Sequence, residues 1–226
     1  MKYNRKVITV LFFIGILILT SCSAYDKATD NLTPVDNPME YQNAYYPVEI
    51  GEINKFNHYV IEDSVKKFIK RSEREVVDYR DSDIRLGRRI LNIPVFRIKE
   101  RNYINDSLVS EQEEYLIKTK EGIVFTQYLN DKKNIRLFQF IPSLPSYTAL
   151  GADLRDGEVS YNVTKVPYLK AGKFMRIRTK LNIVQYSTVY ATQYYAEGVG
   201  LVALFVEEYG NIFGVTVHED YDLLDN

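Results

Sequence analysis

The side chains able to do covalent or acid–base chemistry are few and scattered. The chain holds one thiol, Cys22, and two imidazoles, His58 and His218. A nucleophile needs a base within hydrogen-bond reach, and a metal needs several converging ligands. Spacing delivers neither. His58 falls in a predicted strand and His218 beside the acidic residues Glu219, Asp220 and Asp222, so both read as solvated or hydrogen-bonded strand residues. Asp153-Leu154-Arg155-Asp156-Gly157-Glu158 has calcium-loop composition with the wrong ligand spacing, and Arg155 interrupts it, which leaves a turn. Glu207 and Glu208 are neighbours in a predicted strand and point to opposite faces, so they cannot work as a glycosidase pair. No catalytic residue, metal site or cofactor is expected. Tyr186, Tyr190 and Tyr194, with Thr188 and Thr192 between them, share one face and are the candidate ligand-binding residues. Flat rings with hydroxyl tips can stack on sugars or line an apolar groove, although a half-exposed sheet face carries the same pattern. Arg176, Arg178 and Lys180 form a cationic ladder that suits a solvated face, or one that meets anionic headgroups or glycans.

The elements that would position these groups are strands. Of 226 residues, 46% are apolar, with 19 Tyr, 11 Phe and no Trp, a composition that favours pleated surfaces and excludes global disorder. Twenty-nine cations balance 30 anions, which argues against a nucleic-acid-binding surface. From residue 45 onward strand-like alternation is nearly continuous. Residues 65–79 also fit helical spacing through Val65, Phe68, Ile69 and Val76, but recurrent β-branched and aromatic residues and the lack of a cap favour a strand. Turn signals at residues 62–64, 105–106, 120–122 and 209–211 separate further strands. Pro142, Pro145 and Gly151 mark an irregular excursion suited to lying across a sheet face. Residues 199–206 are apolar on both faces, so both sides of the sheet must be covered there. Gly198 and Gly200 suit a bulge or bend; a phosphate-binding loop would need a Lys and a following helix that the sequence lacks.

The amino terminus gives the address. Lys2, Arg5 and Lys6 precede an apolar run over residues 7–19, too short to cross a bilayer and ending in small residues, the pattern of a secretory signal peptide. Leu19-Thr20-Ser21-Cys22 resembles the lipobox of bacterial lipoproteins, in which the thiol takes a diacylglyceryl group and the cysteine becomes the new N-terminus. The chain's only cysteine stands at the one position where that chemistry needs it. The resemblance implies a signal peptide over 1–21 and lipidated Cys22. Residues 22–44, polar and carrying Thr33-Pro34 and Asn37-Pro38, read as that anchor and a flexible tether to one domain over 45–226.

Two further stretches carry a resemblance. Tyr45-Tyr46-Pro47-Val48-Glu49-Ile50-Gly51, with Tyr59-Val60-Ile61-Glu62-Asp63-Ser64 behind it, resembles the opening of uncharacterised envelope lipoproteins from gut and gliding Gram-negative bacteria. Tyr195-Ala196-Glu197-Gly198-Val199-Gly200-Leu201-Val202 is similar to their closing hairpin, and Val95 to Arg101 also fits. Where relatives carry Trp in the first strand, this chain has Phe56 and Tyr59. The resemblance implies a curved antiparallel sheet, like the half-barrels of periplasmic lipid-carrier lipoproteins, with no known activity. Asp63-Ser64-Val65 and Asp106-Ser107-Leu108 also resemble the Asp-Ser/Thr-aliphatic acceptor of envelope O-glycosylation in some gut bacteria, making Ser64 and Ser107 candidate acceptors.

The expectation is therefore a mostly β protein, a single curved antiparallel sheet or half-barrel with a Pro-containing loop over one face. It would be lipid-anchored in the cell envelope at the outer membrane, facing either the periplasm or the surface. Its partners would be the membrane, through the anchor, and an unknown protein, glycan or lipid, with no nucleic acid. It would act as a non-catalytic binding or scaffolding module, or else carry an apolar ligand in the concave face. Two or three acyl chains bind membranes stably where one is marginal, so Cys22→Ala is expected to move the protein from the membrane to the soluble fraction on envelope fractionation.

Overall fold

The computed structural model describes residues 32–86, 89–126, 139–142, 157–181 and 189–224. Eleven strands follow in chain order: β1 (Ile53–Glu62), β2 (Val65–Leu86), β3 (Arg89–Ile104), β4 (Ser107–Lys118), β5 (Gly122–Thr126), β6 (Gln139–Pro142), β7 (Gly157–Val163), β8 (Phe174–Leu181), β9 (Val189–Ala196), β10 (Gly200–Glu208) and β11 (Asn211–His218). They form one antiparallel sheet in the order β6-β5-β4-β3-β2-β1-β11-β10-β9-β8-β7. Two meanders thus grow outward from a central seam in which β1 pairs with β11, Phe56 opposite His218 and Val60 opposite Gly214.

Local chemistry explains the hairpins. Asp63 and Ser64 (φ 50° and 65°), and Asn105 and Asp106 (φ 48° and 59°), sit in the left-handed region, as a two-residue hairpin turn matched to strand twist requires. These turns, with Tyr209-Gly210 between β10 and β11, gather at one end of the sheet. The expected strand over residues 65–79 is one 22-residue strand running on to Leu86, and no helix forms there. Gly198 lies in the β9–β10 turn and Gly200 opens β10, both at positive φ, while the bulge itself falls between Leu201 and Ala203.

The sheet is curved, not flat. Phe96, Leu116 and Phe125 of β3–β5 share a core with Met175, Ile177 and Tyr195 of β8 and β9. β3 and β9 stand five strand positions apart, roughly 24 Å in a flat sheet, so their side chains meet only because the sheet curls into a trough. Register shifts after His58, Val76, Asn102 and Leu201 supply local bends. Both faces of β10 are covered, as its composition required. Tyr168, Leu169, Tyr221 and Leu224 pack on the outer face with Phe205 and Val215, while Leu201 turns into the trough. On β2–β4 the outer face carries ion pairs toward the β3–β4 turn, Arg97 with Asp78 and Glu113, and Arg101 with Glu75 and Glu111, and at the other end a second apolar cluster of Ile84, Ile93, Val95 and Ile117.

The stretch expected as a tether over 22–44 is docked from Leu32 onward. Leu32 is 1% exposed and packs on Ile84, Leu86 and Ile93. The Thr33 N–H donates to Glu121 Oε2 at 2.7 Å, and Gly198 N–H donates to Ala44 O at 2.7 Å. Residues 45–50 form a strap, not the expected strand. Tyr46 wedges edge-on between Phe125 (5.1 Å) and Tyr195 (6.4 Å), and Val48 is buried beside them. Residues 1–31, with the expected signal peptide and Cys22, and the expected Pro-containing excursion over 143–156 lie outside the described residues.

Because a side chain at Ser64 pays a steric penalty that glycine does not, Asp63→Asn with Ser64→Gly is expected to raise the unfolding free energy by about 0.5–1 kcal/mol. Urea titration reads the shift.

Candidate functional site

The outer aromatic stripe does not present a row of open rings. Tyr194 is 8% exposed and packs against Phe174 (6.4 Å) and Phe205 (5.3 Å), so its ring belongs to the core. Tyr190 is half-buried with the Arg178 guanidinium 4.0 Å over its ring. Arg178 in turn donates through Nε to Glu207 Oε1 at 2.8 Å. Arg176 is held by Glu158 and Ser160, each at 3.0 Å. Tyr186 lies outside the described residues. The cationic ladder is thus tied into neighbouring strands, and among the described residues the stacking surface expected there reduces to Tyr190, one face of which Arg178 already covers.

The trough brings together a set of polar side chains that sequence spacing did not join. β11, β1 and β2 place Thr216, His58 and Ser72 on the concave face: Thr216 Oγ1 is 2.9 Å from His58 Nδ1, and His58 Nε2 is 2.8 Å from Ser72 Oγ. Beside them Lys70 Nζ donates to Asn102 Oδ1, and Asn102 Nδ2 lies 3.4 Å from Glu100 Oε1. Arg74 pairs with Glu114 and approaches Glu100 at 3.7 Å. Ser72, His58, Asn102 and Glu114 are all buried. These residues come from five strands and lie as many as 158 positions apart, so no local motif announces them. The only available signal is polar residues at positions whose alternation points inward.

Electrostatics fix the protonation states. Burial, helped by the Lys70 charge, pushes His58 down to about 3, so its imidazole is neutral. Ser72 and Thr216 hydroxyls can each donate or accept, which satisfies either tautomer. Burial pushes the Glu114 carboxyl up, and Arg74 offsets this only in part. Lys118 is buried at the deep end of the trough, 4.8 Å over the Phe96 ring, where it donates to Tyr41 O at 2.8 Å. Burial lowers it to about 8. Its ammonium therefore clamps the strap by backbone carbonyls. Ser72 and His58 have the separation of a nucleophile and base, but the third member is a hydroxyl and the serine is 2% exposed. Chemically the Ser72–His58–Thr216 seam is a satisfied hydrogen-bond chain that sets strand register across the floor. Among the described residues no group of three or more His, Cys, Asp or Glu is placed to hold a metal. Glu207 and Glu208 stand on neighbouring positions of β10, and His218 Nδ1 accepts from Asp220 N–H while its Nε2 donates to Asn54 Oδ1 at 3.2 Å. Ser64 and Ser107 are both exposed, one inside a hairpin turn and one just after a turn.

No protein-family model and no curated protein matches the chain. Two solved structures match the chain. One is a protein described as a lipoprotein from Parabacteroides distasonis ATCC 8503, with 11% identity, TM-score 0.50, covering 81% of this chain and 100% of that one. The other is a protein described as exported, with a YmcC-like fold, from Bacteroides fragilis NCTC 9343, with 10% identity, TM-score 0.48, covering 78% of this chain and 98% of that one. The first likeness extends to the fold, a curved antiparallel sheet.

His58 carries a pH signature. Above pH 6.5 the imidazole is neutral in both folded and unfolded chains. Between 6.5 and about 3 the unfolded chain takes up a proton that the folded one refuses, so stability falls with pH by up to about 1.4 kcal/mol per unit for this group. His218, also lowered by burial, adds in the same direction. Between pH 6.5 and 5, above most carboxylate titration, His58→Gln is expected to flatten the pH dependence of the urea midpoint.

Proposed function

We propose that this protein is a lipidated component of the outer membrane, held there through Cys22, and that its β domain is a non-catalytic binding or scaffolding module. The observation that carries the reading is the filled trough. A carrier of lipid or another apolar ligand needs a concave cavity of several hundred Å³. Here Tyr46 and Val48 of the strap occupy that space, and the hollow left between Tyr46, Arg74 and Leu201 is about 20 Å³, too small for an acyl chain. A larger hollow of about 450 Å³ is an open surface dent along residues 164–171. The lipobox-like end and the fold shared with a protein described as a lipoprotein support the envelope address. The polar seam supports a non-catalytic role, since its Ser–His contact is sealed and the hydroxyl of Thr216 stands where a hydrolase has a carboxylate.

Native mass spectrometry of protein purified from the envelope tests this. The expected species begins at Cys22, carries covalent acyl chains and holds no further lipid. Non-covalent lipid surviving purification would favour the carrier instead. The same spectrum reports whether Ser64 or Ser107 carries sugar.

A further inference from the structure

The hairpin of β1 and β2 reaches beyond its neighbour. β2 pairs with β1 all the way to its turn, Glu62 opposite Val65, but its pairing with β3 starts only at Arg71, opposite Tyr103. Residues 65–70 therefore extend about 20 Å beyond the last β2–β3 pair and, by roughly four residues, past the β3–β4 turn itself. Among the described residues no strand pairs with this edge. Val65 is 66% exposed and Phe68 50% exposed, and Leu108 at the neighbouring turn is 55% exposed. Six residues of antiparallel edge offer roughly three N–H and three C=O groups to an incoming strand.

We propose that this edge is a docking site for an extended segment of a partner protein in which acidic and apolar side chains are interspersed. From Val65 to Arg71 the chain carries Lys66, Lys67, Lys70 and Arg71 and no anion, while Asp63 and Asp106 stand at the flanking turns. Lys66 and Phe68 point to the outer face, where Lys66 reaches the Leu224 carbonyl and Phe68 meets the Tyr59 ring at 5.7 Å; Val65 and Lys67 point the other way. A partner strand would thus meet one cation and one apolar residue on each face. Edge lysines discourage pairing with apolar strands or with a second copy, which would set Lys66 and Lys67 against like charges. The same charges select an acidic segment, so protection and selectivity have one source. The membrane is disfavoured by position. Leu32 packs against Ile84, 16 residues further along β2 than Phe68, or about 50 Å. Residues 23–31 span at most about 30 Å, so an anchor at Cys22 holds the far end of the strand. That last step alone rests on the proposed lipid anchor.

Hydrogen exchange of the full chain in mild detergent tests the edge. The probes are acetyl-Glu-Val-Phe-Glu-Glu-Val-amide, written to oppose residues 65–70 in antiparallel register, its counterpart with Lys for Glu, and phosphatidylglycerol vesicles. The acidic peptide is expected to slow exchange over residues 65–70 about tenfold and the basic peptide to leave it unchanged. Lys66→Glu with Lys67→Glu is expected to reverse the preference. The milder Lys67→Gln, at an exposed side chain, should weaken the acidic peptide about two- to fivefold. No protection at millimolar acidic peptide overturns the proposal, as does equal protection by both peptides. Protection by vesicles alone would give the edge to lipid, and protection that grows with protein concentration would give it to a second copy. Loss of the lipid anchor would leave the peptide result untouched.

Discussion

The fold depends on one contact: the aromatic and aliphatic side chains of two sheet walls meeting across the strap. Phe96 and Phe125 on one side and Met175 and Tyr195 on the other would be far apart in a flat sheet. Curling the sheet brings them near, but curling alone leaves a groove. Tyr46 and Val48 fill it, and each ring edge on a ring face adds to the area removed from water. The strap is thus part of the core of a domain whose strands alone could not close one. The glycine at the start of β10 sits beside the strap at φ 101°, a backbone conformation that strains any side chain, although a Cβ there would meet the Tyr46 ring only at ordinary contact, 3.7 Å.

Polar groups sit where this apolar filling stops. His58, Ser72 and Thr216 lie on the floor near the central seam, and Arg74 and Glu114 border the aromatic cluster, with Arg74 5.7 Å from the Phe125 ring centre. A buried polar chain is costly unless every member is partnered. Here partners come from successive strands, so the hydrogen bonds are satisfied only in one register. A slip by one residue would turn Ser72 outward and leave His58 facing carbon. The seam therefore acts as a register lock across the β11–β1–β2–β3 junction, where the two meanders join and where sequence-distant strands must find each other.

Much of this was legible in the sequence wherever structure is local. The alternation over residues 174–181 correctly put Met175 and Ile177 inside and Arg176 and Arg178 outside, and the two-sided apolarity of residues 199–206 correctly demanded cover on both faces. Turns at 63–64 and 105–106 followed from residue types that accept positive φ. Features that depend on distant partners were not legible. Residues 32–44 look like a tether and 45–50 like a strand, yet Leu32, Val35 and Val48 are all buried against the sheet. Over residues 80–94 Asp81 and Asp83 lie exposed, while Ile84, Leu86 and Ile93, with Leu91, pack on Leu32, a partner far back in the chain. Tyr194 looks like its neighbour Tyr190 by spacing. Its burial comes from Phe174 and Phe205, on the strands to either side.

The two halves of the sheet are not equivalent, and that asymmetry bears on where a partner could act. The β8–β11 half is sandwiched, with the strap and opposite wall on one face and residues 163–172 with the 3₁₀ turn Glu219–Tyr221 on the other. Dense burial on both faces makes its local opening expensive. The β2–β4 half has a second buried cluster on its outer face, where Ile84, Val95 and Ile117 pack with Leu32, but toward the β3–β4 turn that face is held by exposed ion pairs that each contribute little. Toward the turns at residues 63–64 and 105–106 even the trough side thins out, since side chains there give way to Val65, Phe68, Leu108 and Val109 in water. A surface that must be offered to another molecule without disturbing the core belongs at this end. It shares strands with the rigid seam, so it is positioned, while the contacts it would gain are ones the domain itself does not need.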